Sequence, residues 1–94
     1  MKLSFEWDEE KAKANLKEHR VSFDEATTVL VDPFSITIYD PDHSVEEQRY
    51  IDIGSSDRGH VLIVVYTERG PNIRIISCRK ATSSERKLYE ERRN

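Results

Sequence analysis

Apolar positions recur along this chain with two different periods, and the change falls at Asp32-Pro33. Before it the spacing is helical. Phe5-Glu6-Trp7 is a short strand or a lead-in, and Asp8 then stands at an N-cap position with Glu9 and Glu10 at the positive end of the coming helix dipole. EEKAKANLKEH follows, a run of good helix formers with a thin apolar stripe at Ala12 and Leu16. Val21-Ser22 breaks it. Ser22 with Glu25 has the capping-box spacing, and Phe23, Ala26 and Leu30 mark one face of a second helix, which Asp32-Pro33 stops.

Beyond that point the period is two. FSITIY (34–39) places Ile36 and Ile38 on one face, and RYIDIG (49–54) does the same with Ile51 and Ile53. HVLIVVYTE (60–68) is apolar on both faces, the pattern of a central strand. NIRIISCRK (72–80) follows Arg69-Gly70-Pro71, a turn signal, so these two strands form a hairpin. DPDHSVEEQ (40–48) and GSSDRG (54–59) are connections, and Thr82 with Glu85 opens a last helix through Leu88 and Tyr89. The expected fold is α+β: two N-terminal helices, a four-stranded antiparallel sheet and a C-terminal helix, in one domain over residues 1–94.

The length of the hairpin loop decides which side chains share a face. An even turn sets Glu68 opposite Ile73 and Thr67 opposite Arg74. A three-residue loop, Gly70-Pro71-Asn72, sets Glu68 opposite Arg74, Tyr66 opposite Ile76 and Val64 opposite Cys78. The second gathers Val61, Ile63, Val65, Ile73 and Ile75 on one core face, the better hydrophobic solution, and is the register expected. Arg79 then points with the core unless a bulge or the strand end re-aims it.

Composition adds a charge asymmetry. The chain of 94 residues carries a net charge of −3, yet residues 69–94 hold eight Lys/Arg against three Glu, while residues 1–68 hold seven against fifteen Asp/Glu. An acidic body with a basic C-terminal face is compatible with nucleic acid as a partner; a solvated charged helix is the plainer reading. The lone Cys78 excludes an internal disulfide and fits a reducing compartment. The start, MKLSFEWDEEK, has no signal-peptide pattern, and VLIVVY is far too short to span a bilayer, so a cytoplasmic protein is expected. Asp40, Asp42, His43 and His60 lack metal-ligand spacing, and Asp-Pro-Asp-His reads as a turn; no metal or other cofactor is expected.

What chemistry remains is gathered around the last hairpin, where Tyr66, Glu68 and Arg69 leave one strand and Arg74, Ser77, Arg79 and Lys80 decorate the next. RNA cleavage by attack of a 2′-hydroxyl needs a base, an acid for the leaving group and positive charge for the phosphorane. Arginine forks match phosphate oxygens, and a carboxylate, tyrosine or histidine moves protons. Trp7, His19 and Tyr66 are candidates for base stacking or proton transfer, although Trp7 also fits a core and His19 a helix terminus. Glu68 beside Arg74 is equally a plain cross-strand ion pair. A non-catalytic nucleic-acid-binding module and a protein-interaction module are the competing readings.

FEWDEEKAKANLKEHRVSFDEA, DPDHSVEEQRYIDIG, VVYTERG and RIISCRKAT..ER, in that order, resemble the BrnT-type toxins of type II toxin–antitoxin pairs over almost the whole chain. The resemblance implies a RelE-like fold, ribonuclease activity that inhibits translation, and neutralisation by a BrnA-type antitoxin in a hetero-oligomer. DNA would be met only through that antitoxin. By position it makes Glu68, Arg69, Arg74 and Arg79 the catalytic candidates, with Trp7, His19, Tyr66, Ser77 and Lys80 on the RNA. Where the family commonly has glycine after the histidine, this chain has Arg20.

Overall fold

The computed structural model describes residues 3–40 and 48–93; Asp42, His43 and most of the 40–48 connection lie outside the described residues. The elements in chain order are β1 (Ser4–Glu6), α1 (Glu9–His19), α2 (Phe23–Val29), β2 (Ile36–Asp40), β3 (Arg49–Ser55), β4 (Val61–Arg69), β5 (Asn72–Lys80) and α3 (Ser83–Arg93). The five strands form one sheet in the order β1-β5-β4-β3-β2. The expectation of a four-stranded antiparallel sheet behind two N-terminal helices is therefore corrected. A strand precedes the helices and pairs in parallel with β5, Phe5 beside Ile73 and Glu6 beside Arg74, so the sheet is mixed. Three residues are too few to show a period, and their pairing partner lies far along the chain. Docked there, β1 covers what would otherwise be an open strand edge.

Local signals account for the helices. The Asp8 carboxylate accepts from the Glu10 and Lys11 backbone N–H groups at 2.8 and 3.3 Å, closing the start of α1. At its end Arg20 adopts the left-handed conformation, φ 60°, that glycine usually supplies, and its N–H bonds the Leu16 carbonyl. The Ala12–Leu16 stripe is not what holds α1 down, since Leu16 is 49% exposed. Asn15 does: buried, it donates to the Val21 and Cys78 carbonyls at 3.0 and 2.9 Å and accepts from the Cys78 N–H at 3.1 Å. Ser22 caps α2 by accepting from the Glu25 N–H, but Glu25 turns its carboxylate elsewhere, so only half of that capping box forms. The box at α3 is reciprocal, with Thr82 N–H on Glu85 and Glu85 N–H on the Thr82 hydroxyl.

Each face of the sheet carries a buried core. Beneath α1 and α2 lie Val21, Phe23, Ala26, Val29, Leu62, Val64, Ile75 and Cys78. Beneath α3 lie Ile53, Ile63, Ala81 and Tyr89. The hairpin combines the two registers that loop parity allows. Next to the Gly70-Pro71 turn the pairing is even, Glu68 opposite Ile73 and Thr67 opposite Arg74, so the expected Glu68–Arg74 pair is not made. Farther on, Val64 faces Cys78 and Ile63 faces Arg79. The change falls between Val65 and Tyr66, where Ile76 is the extra residue of a β-bulge. Ile73 and Ile75 thereby join the α1/α2 face instead of sharing a side with Ile63.

Candidate functional site

The bulge determines the composition of the α3 face. On a regular strand Arg74 and Arg79, an odd number of residues apart, would point to opposite sides. With the bulge they pair with Thr67 and Ile63, which lie on one side of β4. Three cross-strand rows result: Ile36, Ile53, Ile63 and Arg79; then Ile38, Ile51, Val65 and Ser77; then Arg49, Thr67, Arg74 and Glu6. Tyr89 of α3 packs against the first row. In the second, Ile51, Val65 and Ser77 stay part-exposed.

Each arginine carries a carboxylate. Arg74 Nη1 donates to Glu6 Oε2 at 2.8 Å, and Asn72 Nδ2 to Glu6 Oε1 at 3.0 Å. These bonds, Arg74 first, hold the Glu6 carboxyl below its ordinary value, helped by the charge of Arg69. Arg79 grips Glu85 with both arms of its fork, at 2.8 and 2.9 Å. That grip, against the opposing effect of burial, brings the Glu85 carboxyl down to about 2 and raises the Arg79 guanidinium.

The candidates from the sequence divide between the two faces. Arg74, Ser77 and Arg79 share the α3 face, and Arg69, opposite Asn72, lies at its turn end. Glu68 and Tyr66 lie on the α1/α2 face, opposite Ile73 and Ile75. There the Tyr66 hydroxyl donates to Asp52 Oδ1 at 3.0 Å and its ring stacks on Tyr50 at 5.6 Å. Burial, with the nearby Asp52 charge, pushes the Tyr66 phenol far up. Trp7 sits edge-on to Phe23 at 5.9 Å as part of the core. His19, at the end of α1, has Glu18 at 3.9 Å and is not brought to the arginines. Lys80 lines a cleft beside α3. Arg49 was missed, although the period of RYIDIG already sets it on the same side as Ile51 and Ile53. Glu6 was missed because residues 5–7, a short strand or a lead-in by sequence, carry no signal of a pairing partner, and that partner is β5.

A sheet face bearing several arginines, with hydroxyls between them and a helix packed over one end, has the chemistry to bind phosphate oxygens. Residues 7–85 match the family described as the ribonuclease toxin BrnT of type II toxin–antitoxin systems, and the chain belongs to that family. Its fold is similar to that of the crystal structure of the Brucella abortus ribonuclease toxin BrnT. The TM-score is 0.64 at 21% identity, covering 87% of this chain and all of that one. No curated protein matches the chain. No described helix is long and apolar enough to cross a membrane.

Proposed function

We propose that this toxin is a metal-independent endoribonuclease that acts in the cytoplasm, inhibits translation by cutting RNA, and cuts on the α3 face of its sheet. The observation that carries the reading is that the bulge sets Arg74 and Arg79 on one side, with Ser77 between them. Two forks spaced along a strand suit successive phosphates or the oxygens of one reacting centre. RNA entering this face exchanges phosphate for carboxylate in each fork. The released carboxylate, Glu6 or Glu85, then accepts the 2′-hydroxyl proton as that oxygen attacks the adjacent phosphorus. The arginines stabilise the phosphorane; the P–O5′ bond then breaks, the 5′-oxygen takes a proton from water, and a 2′,3′-cyclic phosphate is left on the other fragment. Glu68, on the opposite face, has no part in this scheme. A BrnA-type antitoxin with an acidic or amphipathic segment neutralises the toxin by covering the arginines.

The test is cleavage of RNA by purified protein in EDTA. Wild type should cut, Arg74→Ala and Arg79→Ala should each lose roughly 100-fold or more, and Glu68→Gln should stay within a few-fold of wild type. Intact RNA with wild type, or equal cutting by Arg79→Ala, would overturn the reading; a requirement for added divalent cation would overturn its metal independence. A non-catalytic RNA-binding module is the second reading, favoured by the carboxylate already seated in each fork. In that case the arginine variants change only affinity and its salt dependence.

A further inference from the structure

The five-residue turn between β3 and β4 is built with unusual care for an exposed connection. Ser56 accepts the Arg58 and His60 N–H groups on its hydroxyl at 3.2 and 3.3 Å and donates to Glu25 Oε2 at 2.6 Å. The Ser56 N–H bonds the His60 carbonyl at 2.8 Å, and Gly59 takes φ 79° to close the turn. Glu25, only 8% exposed, also meets His60 Nδ1 at 2.8 Å. Burial works to raise the Glu25 carboxyl, but hydrogen bonds from Ser56 and His60 outweigh it and keep the group below its ordinary value. An ionised carboxylate can only accept, so Nδ1 donates to Glu25 and the contact fixes the ring, leaving Nε2 as its free edge. Nε2 has no partner among the described residues.

The ring lines a cleft of about 420 Å³ between this turn and α3, together with Lys80, Arg86, Arg93 and one carboxylate, Glu90. Lys80 and Arg86 have no ion-pair partner among the described residues, unlike Arg74 and Arg79, each of which is paired with a glutamate. Arg93 is drawn electrostatically toward Asp32, which accepts the Tyr89 hydroxyl at 2.6 Å. On the α3 helix Arg86 and Arg93 lie on one flank of buried Tyr89, and Glu85, gripping Arg79, lies on the other. The cleft is thus a different place from the arginine face.

We propose that this cleft is a second RNA subsite, in which Lys80 and Arg86 hold backbone phosphate and His60 Nε2 hydrogen-bonds the ribose 2′-hydroxyl. The convergence of cations selects a polyanion, and a ring nitrogen fixed among them, able to pair with a 2′-hydroxyl, selects ribose over deoxyribose. The ligand class rests on the ribonuclease reading, but the contacts are tested by affinity and need no cleavage.

The experiment is fluorescence anisotropy with a labelled ten-nucleotide RNA and a DNA of the same sequence, in an Arg79→Ala host so that the RNA survives. Lys80→Ala/Arg86→Ala should weaken both ligands about 10-fold and flatten the slope of log affinity against log salt by about 0.7 for each lost phosphate contact. His60→Phe should weaken RNA roughly 3- to 10-fold and leave DNA unchanged. All three residues line the cleft and are exposed, and circular dichroism checks that the variants are folded. Unchanged RNA affinity in the double variant would overturn the subsite. So would a double variant that binds RNA normally but no longer binds the antitoxin, which would give the cleft to a protein partner. Equal weakening of RNA and DNA by His60→Phe would overturn the 2′-hydroxyl contact. Failure of wild type to cut RNA, by contrast, would strike the reading of the arginine face alone.

Discussion

Arg74 and Arg79 each reach the sheet face with a carboxylate in the fork, and this has a cost and a use. The cost is that phosphate must compete with Glu6 or Glu85. The use is that a long flexible cation is held in one rotamer before the ligand arrives. Glu85 gives the pairing a pH signature. Its folded value of about 2 lies below the ordinary 4.5, so its stabilising contribution is complete above the unfolded value and is lost as pH falls from about 4.5 toward 2. Glu85→Gln should lower stability at neutral pH modestly, because Arg79 is part-exposed, and should flatten the stability curve between pH 4.5 and 2. Urea unfolding at several pH values checks this; a parent and variant with parallel curves across that window would show the pair contributes nothing. At this scale the sequence revealed the arginines but not their partners. Glu6 becomes the counter-ion of Arg74 through strand pairing between residues 68 apart, which no local pattern records.

The elements with strong local chemistry were the legible ones. Asp8, Ser22 and Thr82 cap the helices that their spacing implied, and the period-two runs became β2 to β5. β1 was ambiguous because SFE is too short to carry a period. The hairpin register was misjudged near its turn because burying one face was assumed, whereas α3 gives β4 a second core. The role of Gly54 is a packing one. A methyl group there would sit 3.0 Å from both Ser35 Cβ and Val29 Cγ1 and 3.1 Å from Asp32 Oδ2. Gly54→Ala should therefore cost about 1–3 kcal/mol by pushing α2 and the 32–35 segment off β3, measurable by urea denaturation. A variant as stable as its parent would mean that this approach relaxes freely.

Across the molecule, one sheet serves two cores, with Val64 facing α1 and α2 while its neighbour Ile63 faces α3. Neither core can lose its strands without exposing the other. Unfolding followed by Trp7 fluorescence, which reports the first core, should coincide with loss of helical circular dichroism and with amide exchange in α3, which reports the second. An α3 that melts first would separate the two. Charge is arranged at the same scale: the acidic residues that dominate the first two-thirds leave the arginine face and the cleft beside α3 to the basic C-terminal third. That division was visible in the sequence, but the split into two separate basic sites was not, because it depends on which flank of α3 each residue occupies.

The extra residue at Ile76 also bears on how this fold tolerates changes in chain length. In most strands, losing one residue reverses the facing of everything beyond it, so insertions and deletions are confined to loops. Here a chain lacking Ile76 would have Arg74 and Arg79 an even step apart, still opposite Thr67 and Ile63, on a strand that no longer needs to bend. The middle of β5 is thus a place where the gene can shorten by one codon and keep both arginines on the same side.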